Sequence, residues 1–281
     1  MVTMKKKITQ GKSVRLLAIC FFVIFCLAFV QNAHCGGPTP SDAVYWVNGE
    51  QLILASESEY VTAHAIAVSG TDIYITGQHD FHAAYWLNGR RTMLSTTEGY
   101  SMASAIAISG SNVYIAGSNG NDAVYWLNGV RTVLPKTGRN ASAGAIAVSG
   151  TNVYIAGWDS GDAVYWLNGV RTALPKTGRT ASAGAIAVSG TNVYVAGRDG
   201  DDAVYWLNGV RTVLPKAGRW TSISAITISG SNVYITGTDG NDAVYWLNGV
   251  RTALPKTGRS ASADAIAVSG SNVYIAGSDG M

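Results

Sequence analysis

From Asp42 to Met281 the chain is six copies of one 40-residue unit, with Ala-Val-Tyr-Trp-Leu-Asn-Gly or a close variant beginning at Ala43, Ala83, Ala123, Ala163, Ala203 and Ala243. A period of about 40 residues points to a propeller, solenoid or stacked array, in which each copy is one supersecondary unit and neighbours bury a shared core. Each unit holds four short runs rich in Val, Ile, Tyr and Trp, the composition that pleated strands favour. In the third they are Ala145–Ser149, Asn152–Ala156, Ala163–Leu167 and Val170–Leu174.

The turns decide how the runs pair. Asn128-Gly129 and its counterparts separate the third run from the fourth by two residues, the signature of a type I′ hairpin turn. Gly150-Thr151 and its counterparts separate the first from the second, where Gly-X suits type II′. Two tight antiparallel hairpins per unit exclude a parallel β-helix, whose strands cannot be joined by two-residue turns.

Packing favours a propeller. In Ala-Val-Tyr-Trp-Leu and Asn-Val-Tyr-Ile-Ala both alternating faces are apolar, so both faces of each sheet should be covered by neighbours. Trp46, Trp86, Trp126, Trp166, Trp206 and Trp246 then read as core between blades, ahead of the alternative of a sugar site. With strands named A to D from the axis outward, the array begins with C and D (Ala43 to Leu54) and ends with A and B (Ala265 to Ala276). The expected fold is therefore an all-β, six-bladed β-propeller of four-stranded antiparallel blades. A two-plus-two clasp between the ends of the chain would close it and leave no open blade edge.

Residues 42 to 281 resemble a group of bacterial secreted β-propeller repeat proteins built from Ala-x-Tyr-Trp-x-Asn-Gly, Ala-Ile-Ala-Val-Ser-Gly and Val-Tyr-x-Ala-Gly segments. That resemblance implies the fold and says little about the ligand, because propellers host enzymes, lectins and scaffolds alike.

Ahead of the repeats, residues 1–35 have the layout of a secretory signal peptide: basic residues from Lys5 to Arg15, an apolar run from Leu16 to Val30, then a polar tail. The run is short for a spanning helix, which needs about 20 residues. Export to an extracytoplasmic location is expected, with residues 36–41 as a short tether. Cys35 before Gly36-Gly37 invites a lipoprotein reading, which His34 opposes, since lipoprotein signals want a small residue there. Membrane association would then require a lipidated Cys35 or an uncleaved leader. All three cysteines lie in this leader, so no disulfide is expected in the body. The net charge of +3 also comes from the leader: without its five basic residues, 15 basic face 17 acidic ones. A body at about −2 lacks the basic footprint of nucleic-acid binding.

The copies differ from one another mainly where the B-to-C and D-to-A loops are expected to emerge on one face. One B-to-C position reads Gln78, Ser118, Trp158, Arg198, Thr238 and Ser278; one D-to-A position reads Tyr60, Tyr100, Asn140, Thr180, Trp220 and Ser260. Trp158, Trp220, Tyr60 and Tyr100 are candidate stacking or anchoring groups, with Arg198 beside them, although a loop aromatic can equally pack on its own loop. The residue expected just before strand A reads His64, Ser104, Gly144, Gly184, Ser224 and Asp264, and ring closure would set His64 beside Asp264 at a channel mouth, either as a ligand site or as a solvated pair.

Strand A carries no ionisable side chain, and the body has three histidines, His64, His79 and His82, so a catalytic centre built on strand A, a His or Cys metal site and a Cys-His nucleophile all lack parts. Asp199-Gly200-Asp201-Asp202 and Asp239-Gly240-Asn241-Asp242 suggest calcium but are too short for a twelve-residue EF-hand loop and match turn chemistry, so no cofactor is expected. Asp42, Asp122, Asp162, Asp202 and Asp242 are expected to make local turn hydrogen bonds, and Arg131, Arg171, Arg211 and Arg251 to protect a solvated edge. The leading expectation is a monomeric, non-catalytic extracytoplasmic module that binds a carbohydrate or an envelope protein through the loop face. A ligand-free structural or surface-display protein is the first alternative, and a propeller hydrolase or lyase using loop acids such as Asp264 the second.

Overall fold

The computed structural model describes residues 27–28, 43–55, 60–95 and 99–280. All their regular structure is β, without a helix among the described residues. Residues 1–26 and 29–42, and with them most of the expected leader, Cys35 and the tether, lie outside the described residues.

Five four-stranded antiparallel sheets follow one another along the chain. Sheet 1 comprises β4 (Val61–Ser69), β5 (Asp72–His79), β6 (His82–Leu87) and β7 (Arg90–Met93), with the short β1 (Leu27–Ala28) added to the free edge of β4. Sheet 2 is β8 (Ser101–Ser109) to β11 (Val130–Val133), with β9 (Asn112–Asn119) and β10 (Asp122–Leu127) between them. Sheet 3 contains β12 (Ala141–Ser149), β13 (Asn152–Asp159), β14 (Asp162–Leu167) and β15 (Val170–Ala173). Sheet 4 has β16 (Ala181–Ser189), β17 (Asn192–Asp199), β18 (Asp202–Leu207) and β19 (Val210–Val213). Sheet 5 has β20 (Thr221–Ser229), β21 (Asn232–Asp239), β22 (Asp242–Leu247) and β23 (Val250–Ala253). A hairpin, β2 (Ala43–Val47) with β3 (Glu50–Ala55), precedes them; another, β24 (Ser260–Ser269) with β25 (Asn272–Gly280), follows.

The Asn-Gly turns adopt the left-handed backbone that a two-residue I′ hairpin demands, with φ of 51° at Asn128 and 83° at Gly129. The Asn128 side chain then ties the two hairpins together. Its Oδ1 accepts from Val113 N at 2.9 Å, and its Nδ2 donates to Asn112 Oδ1 at 2.9 Å. The turns between strands A and B and between C and D therefore share one end of the sheet, and the remaining connections share the other.

Each sheet has one face of large side chains and one of small. In sheet 3, Ile146, Ile155, Val164 and Trp166 pack into Ala105, Ala107, Ala116 and Ala123 of sheet 2. The opposite face offers Tyr154, Ala156 and Ala163 to Ile186, Val195, Val204 and Trp206 of sheet 4. Trp86, Trp126, Trp166, Trp206 and Trp246 are fully buried in this way. Most of their indole N–H groups also find acceptors: Trp166, Trp206 and Trp246 donate at 2.8 Å to the carbonyls of Pro135, Pro175 and Pro215.

Three expectations need correction. Strand A starts four residues earlier than its Val/Ile run suggests, and His64, Ser104, Gly144, Gly184, Ser224 and Asp264 sit inside it, at a register shift that recurs in every copy. The B-to-C connection is a two-residue turn, so Gln78, Ser118, Trp158, Arg198, Thr238 and Ser278 are strand residues. Finally, β2–β3 and β24–β25 form separate two-stranded sheets, and the expected clasp is not paired among the described residues. The large face of β2 is bare in consequence, and Trp46 is 56% exposed where its five counterparts are buried. Tyr274 on β25 is likewise 57% exposed.

Candidate functional site

The end of the sheets opposite the Asn-Gly turns is built on a buried carboxylate. Asp159, at the close of β13, has a side chain without solvent exposure. It accepts from Thr137 N at 2.7 Å, Thr137 Oγ1 at 2.8 Å and Gly138 N at 3.1 Å, all on the loop entering its sheet, and pairs with Arg171 Nε at 2.8 Å. Burial raises its pKa, but the Thr137 and Gly138 hydrogen bonds and the Arg171 charge outweigh burial and hold the carboxyl below the usual range. Asp199 and Asp239 repeat the arrangement, with the same balance and direction. Arg251 donates to Asp239 at 2.6 Å, whereas Arg211 lies 2.7 Å from Asp199 as an ion pair without hydrogen-bond alignment. In sheet 1, His79 takes the Asp position and lies against Arg91.

These contacts correct two expectations. Arg171, Arg211 and Arg251 are internal partners of buried carboxylates rather than solvated edge groups. Asp122, Asp162, Asp202 and Asp242 are not mere turn formers, because each receives a lysine of the following loop, Lys136, Lys176, Lys216 or Lys256, at 2.6–2.8 Å. Both signals lay in the sequence as fixed separations of twelve and fourteen residues.

On this frame Trp158 and Arg198 share one open cleft of about 500 Å³ between sheets 3 and 4. Gly161, Thr180, Ala181, Ser182 and Gly200 complete its lining. Trp158 lies opposite Ser142 and Ala163 near the end of β13 and is 36% exposed. Arg198 occupies the same place on β17, opposite Ser182 and Ala203. Its guanidinium makes one long bond, Nη2 to the Gly200 carbonyl at 3.3 Å, and no ion pair among the described residues. Thr180 is fixed at the cleft wall because its carbonyl accepts from Gly200 N at 2.8 Å. Ser182 and Gly161 were not singled out from sequence, whereas Thr180 stood among the differing D-to-A residues and Gly200 within a turn-like acidic loop. The signal for Ser182 was indirect, since it lies directly opposite Arg198, a position where the copies differ.

The other candidates separate from this cleft. Trp220, half-exposed, does not line it; in sheet 5 it holds the position that Thr180 holds in sheet 4. Tyr60 stacks on Phe81 with ring centroids 4.6 Å apart and planes 15° apart, so it packs on the adjacent turn. Phe81 has φ of 66°, an uncommon conformation for an aromatic residue, and is exposed. The Tyr100 hydroxyl reaches Gln78 Oε1 at 3.4 Å.

His64 and Asp264 are not partners. His64 Nδ1 donates to the Ala103 carbonyl at 3.0 Å, which leaves Nε2 to accept from the Thr62 hydroxyl at 3.1 Å. Burial lowers the His64 pKa, partly opposed by the Ala103 bond, so this neutral tautomer is favoured. Asp264 accepts from Ser262 Oγ at 3.0 Å.

No family model matches the chain, and no curated protein matches it in sequence. Solved structures do resemble it. The computationally designed Ika8 protein, in its crystal packing No. 1 in P63, is similar with a TM-score of 0.53 at 20% identity, covering 90% of this chain and 80% of that chain. A likeness at that identity extends to the fold alone.

Proposed function

We propose that this chain is an exported, non-catalytic binding module that recognises a carbohydrate or envelope protein through the face carrying Trp158 and Arg198. The observation that carries the reading is their shared cleft: an exposed indole and a guanidinium without a carboxylate partner, held on rigid strand ends. Its volume falls in the range of small-molecule sites, about 300–1,000 Å³. The frame beneath it repeats nearly unchanged while the cleft positions vary, as expected when scaffold and recognition are separated.

The working molecule in this reading is a closed six-bladed propeller, the fold that the resemblance to bacterial secreted β-propeller repeats implies. Continuing the register of β5 with β6 into the end hairpins would set Ile275 opposite Trp46 and Ser278 opposite Ala43. Trp46 would then pack on the small face of sheet 5, and Tyr274 would be covered by sheet 1. Burying a large aromatic side chain favours this by about 1.5–3 kcal/mol each.

A glycan and envelope-extract binding screen on the full chain, run beside the Trp158→Ala, Trp220→Ala variant, tests the proposal. A ligand lost by the variant with unchanged thermal midpoint is the expected result. Binding that the variant retains would move the site elsewhere. The near-identity of copies three to five favours one other reading, a surface-display repeat without a ligand. In that case nothing in the screen would raise the melting temperature, as any native-state ligand must.

A further inference from the structure

The loop face carries arginines that the frame leaves unmatched. Its lysines, Lys136, Lys176, Lys216 and Lys256, are each neutralised by an aspartate, and Arg171, Arg211 and Arg251 by buried carboxylates. Arg139, Arg179, Arg219 and Arg259 recur once per copy on the loops entering sheets 3, 4 and 5 and the hairpin β24–β25. All four are exposed, and their side chains form no ion pair among the described residues. Arg198 adds a fifth such group inside the cleft beside Trp158, and Asp201 in the next turn makes no ion pair with it. Unlike the lysines, these guanidiniums are free to engage anions bidentately.

We infer that the cleft ligand is an acidic polysaccharide, with Arg198 pairing a sugar carboxylate while Trp158 stacks on the neighbouring ring. This rests on the binding role proposed above and names its ligand class. Three features favour a sugar over an acidic peptide. An indole face matches the C–H face of a pyranose. The Thr180 and Ser182 hydroxyls on the cleft wall both donate and accept, as sugar hydroxyls do. The cleft is open, suiting a chain that passes through rather than an end that inserts. Trp220 repeats in sheet 5 the backbone placement of Thr180 in sheet 4, its carbonyl accepting from Gly240 N at 2.9 Å as that of Thr180 does from Gly200 N at 2.8 Å. Arginines spaced one per copy suit a polymer whose charge also repeats.

The test uses the full chain and calorimetric titration with hexamers of galacturonate and of hyaluronan, the same chains with their carboxylates reduced to primary alcohols, and a glutamate hexapeptide. At least one native acidic hexamer should bind about tenfold more tightly than its reduced form. Arg198→Gln should abolish that difference, Trp158→Ala should weaken native and reduced forms alike, and added salt should weaken only the native form. Equal affinity for native and reduced hexamers would overturn the acidic assignment while leaving a sugar-binding face intact. Equal binding of the glutamate peptide would overturn the saccharide. Binding of reduced or native sugars by neither form, with the protein folded, would remove the inference; a hit elsewhere in the glycan and envelope screen would then preserve the binding role alone.

Discussion

Asp159 shows how much of the frame hangs on single side chains. Four donors converge on its buried carboxylate, and removing it would leave Arg171 and the Thr137 and Gly138 amides without their acceptor. Asp159→Ala should lower unfolding stability by about 3 kcal/mol in urea titration. The same chemistry sets an acid limit. The carboxyls of Asp159, Asp199 and Asp239 titrate lower in the folded chain than the unfolded value of about 3.9. Their contribution is therefore fully present above that pH and is lost as pH falls through the lower folded values. Stability should be level from pH 7 to about 5 as far as these groups decide it and fall steeply below about 4, and Asp159→Ala should flatten the acid fall. Sequence reasoning met Asp199 and Asp239 only within short acidic loops that match turn chemistry, did not single out Asp159, and took the arginines for edge groups. Composition in a local window cannot reveal a pairing made across a hairpin, whereas the recurrent Asp-to-Arg spacing could have.

At the scale of the element, the hairpins were legible because Asn-Gly and Gly-X leave few backbone choices, and the left-handed Asn and Gly residues follow suit. The bulge in strand A was not. Ala-Ser-Ala-Gly-Ala has little strand preference, so the Val/Ile run marked the start too late. What forces a glycine opposite the bulge is a carbonyl: a methyl group on Gly157 would lie 2.0 Å from the Ser142 oxygen, and its counterparts in the other copies meet the same obstacle. Gly157→Ala should therefore cost at least about 2 kcal/mol, read as a lower urea midpoint with unchanged slope. Trp158 follows that glycine directly, so the close approach also fixes where the cleft wall stands. Trp158 and Arg198 were picked out by their variation between copies, but as loop residues; the two-residue B-to-C turn makes them strand ends, better held than loops.

Across the whole molecule, large-face-into-small-face packing carries each sheet onto the next and leaves matched remainders at the two ends. Trp46 and Tyr274 are both exposed, and in the proposed ring they would be covered at two different seams, Trp46 by sheet 5 and Tyr274 by sheet 1. Asn48 keeps the left-handed turn of its counterparts, and Asn272 waits at the position that Asn112 fills for Asn128. The forty-residue period made this array readable from sequence, and the near-identity of the copies is why the ligand was not: only the few differing positions speak to function. Closure is the claim on which the common loop face depends, and cross-linking tests it directly. In the register of β5 with β6, Ser278 and Ala43 would form a pair of the closer, non-hydrogen-bonded kind that a disulfide can bridge. In a chain with Cys20, Cys26 and Cys35 replaced by Ser, Ala43→Cys with Ser278→Cys should oxidise to a cross-linked monomer on a non-reducing gel. Cross-linked dimers and higher species, or thiols that stay free in the folded protein, would contradict a ring closed within one chain.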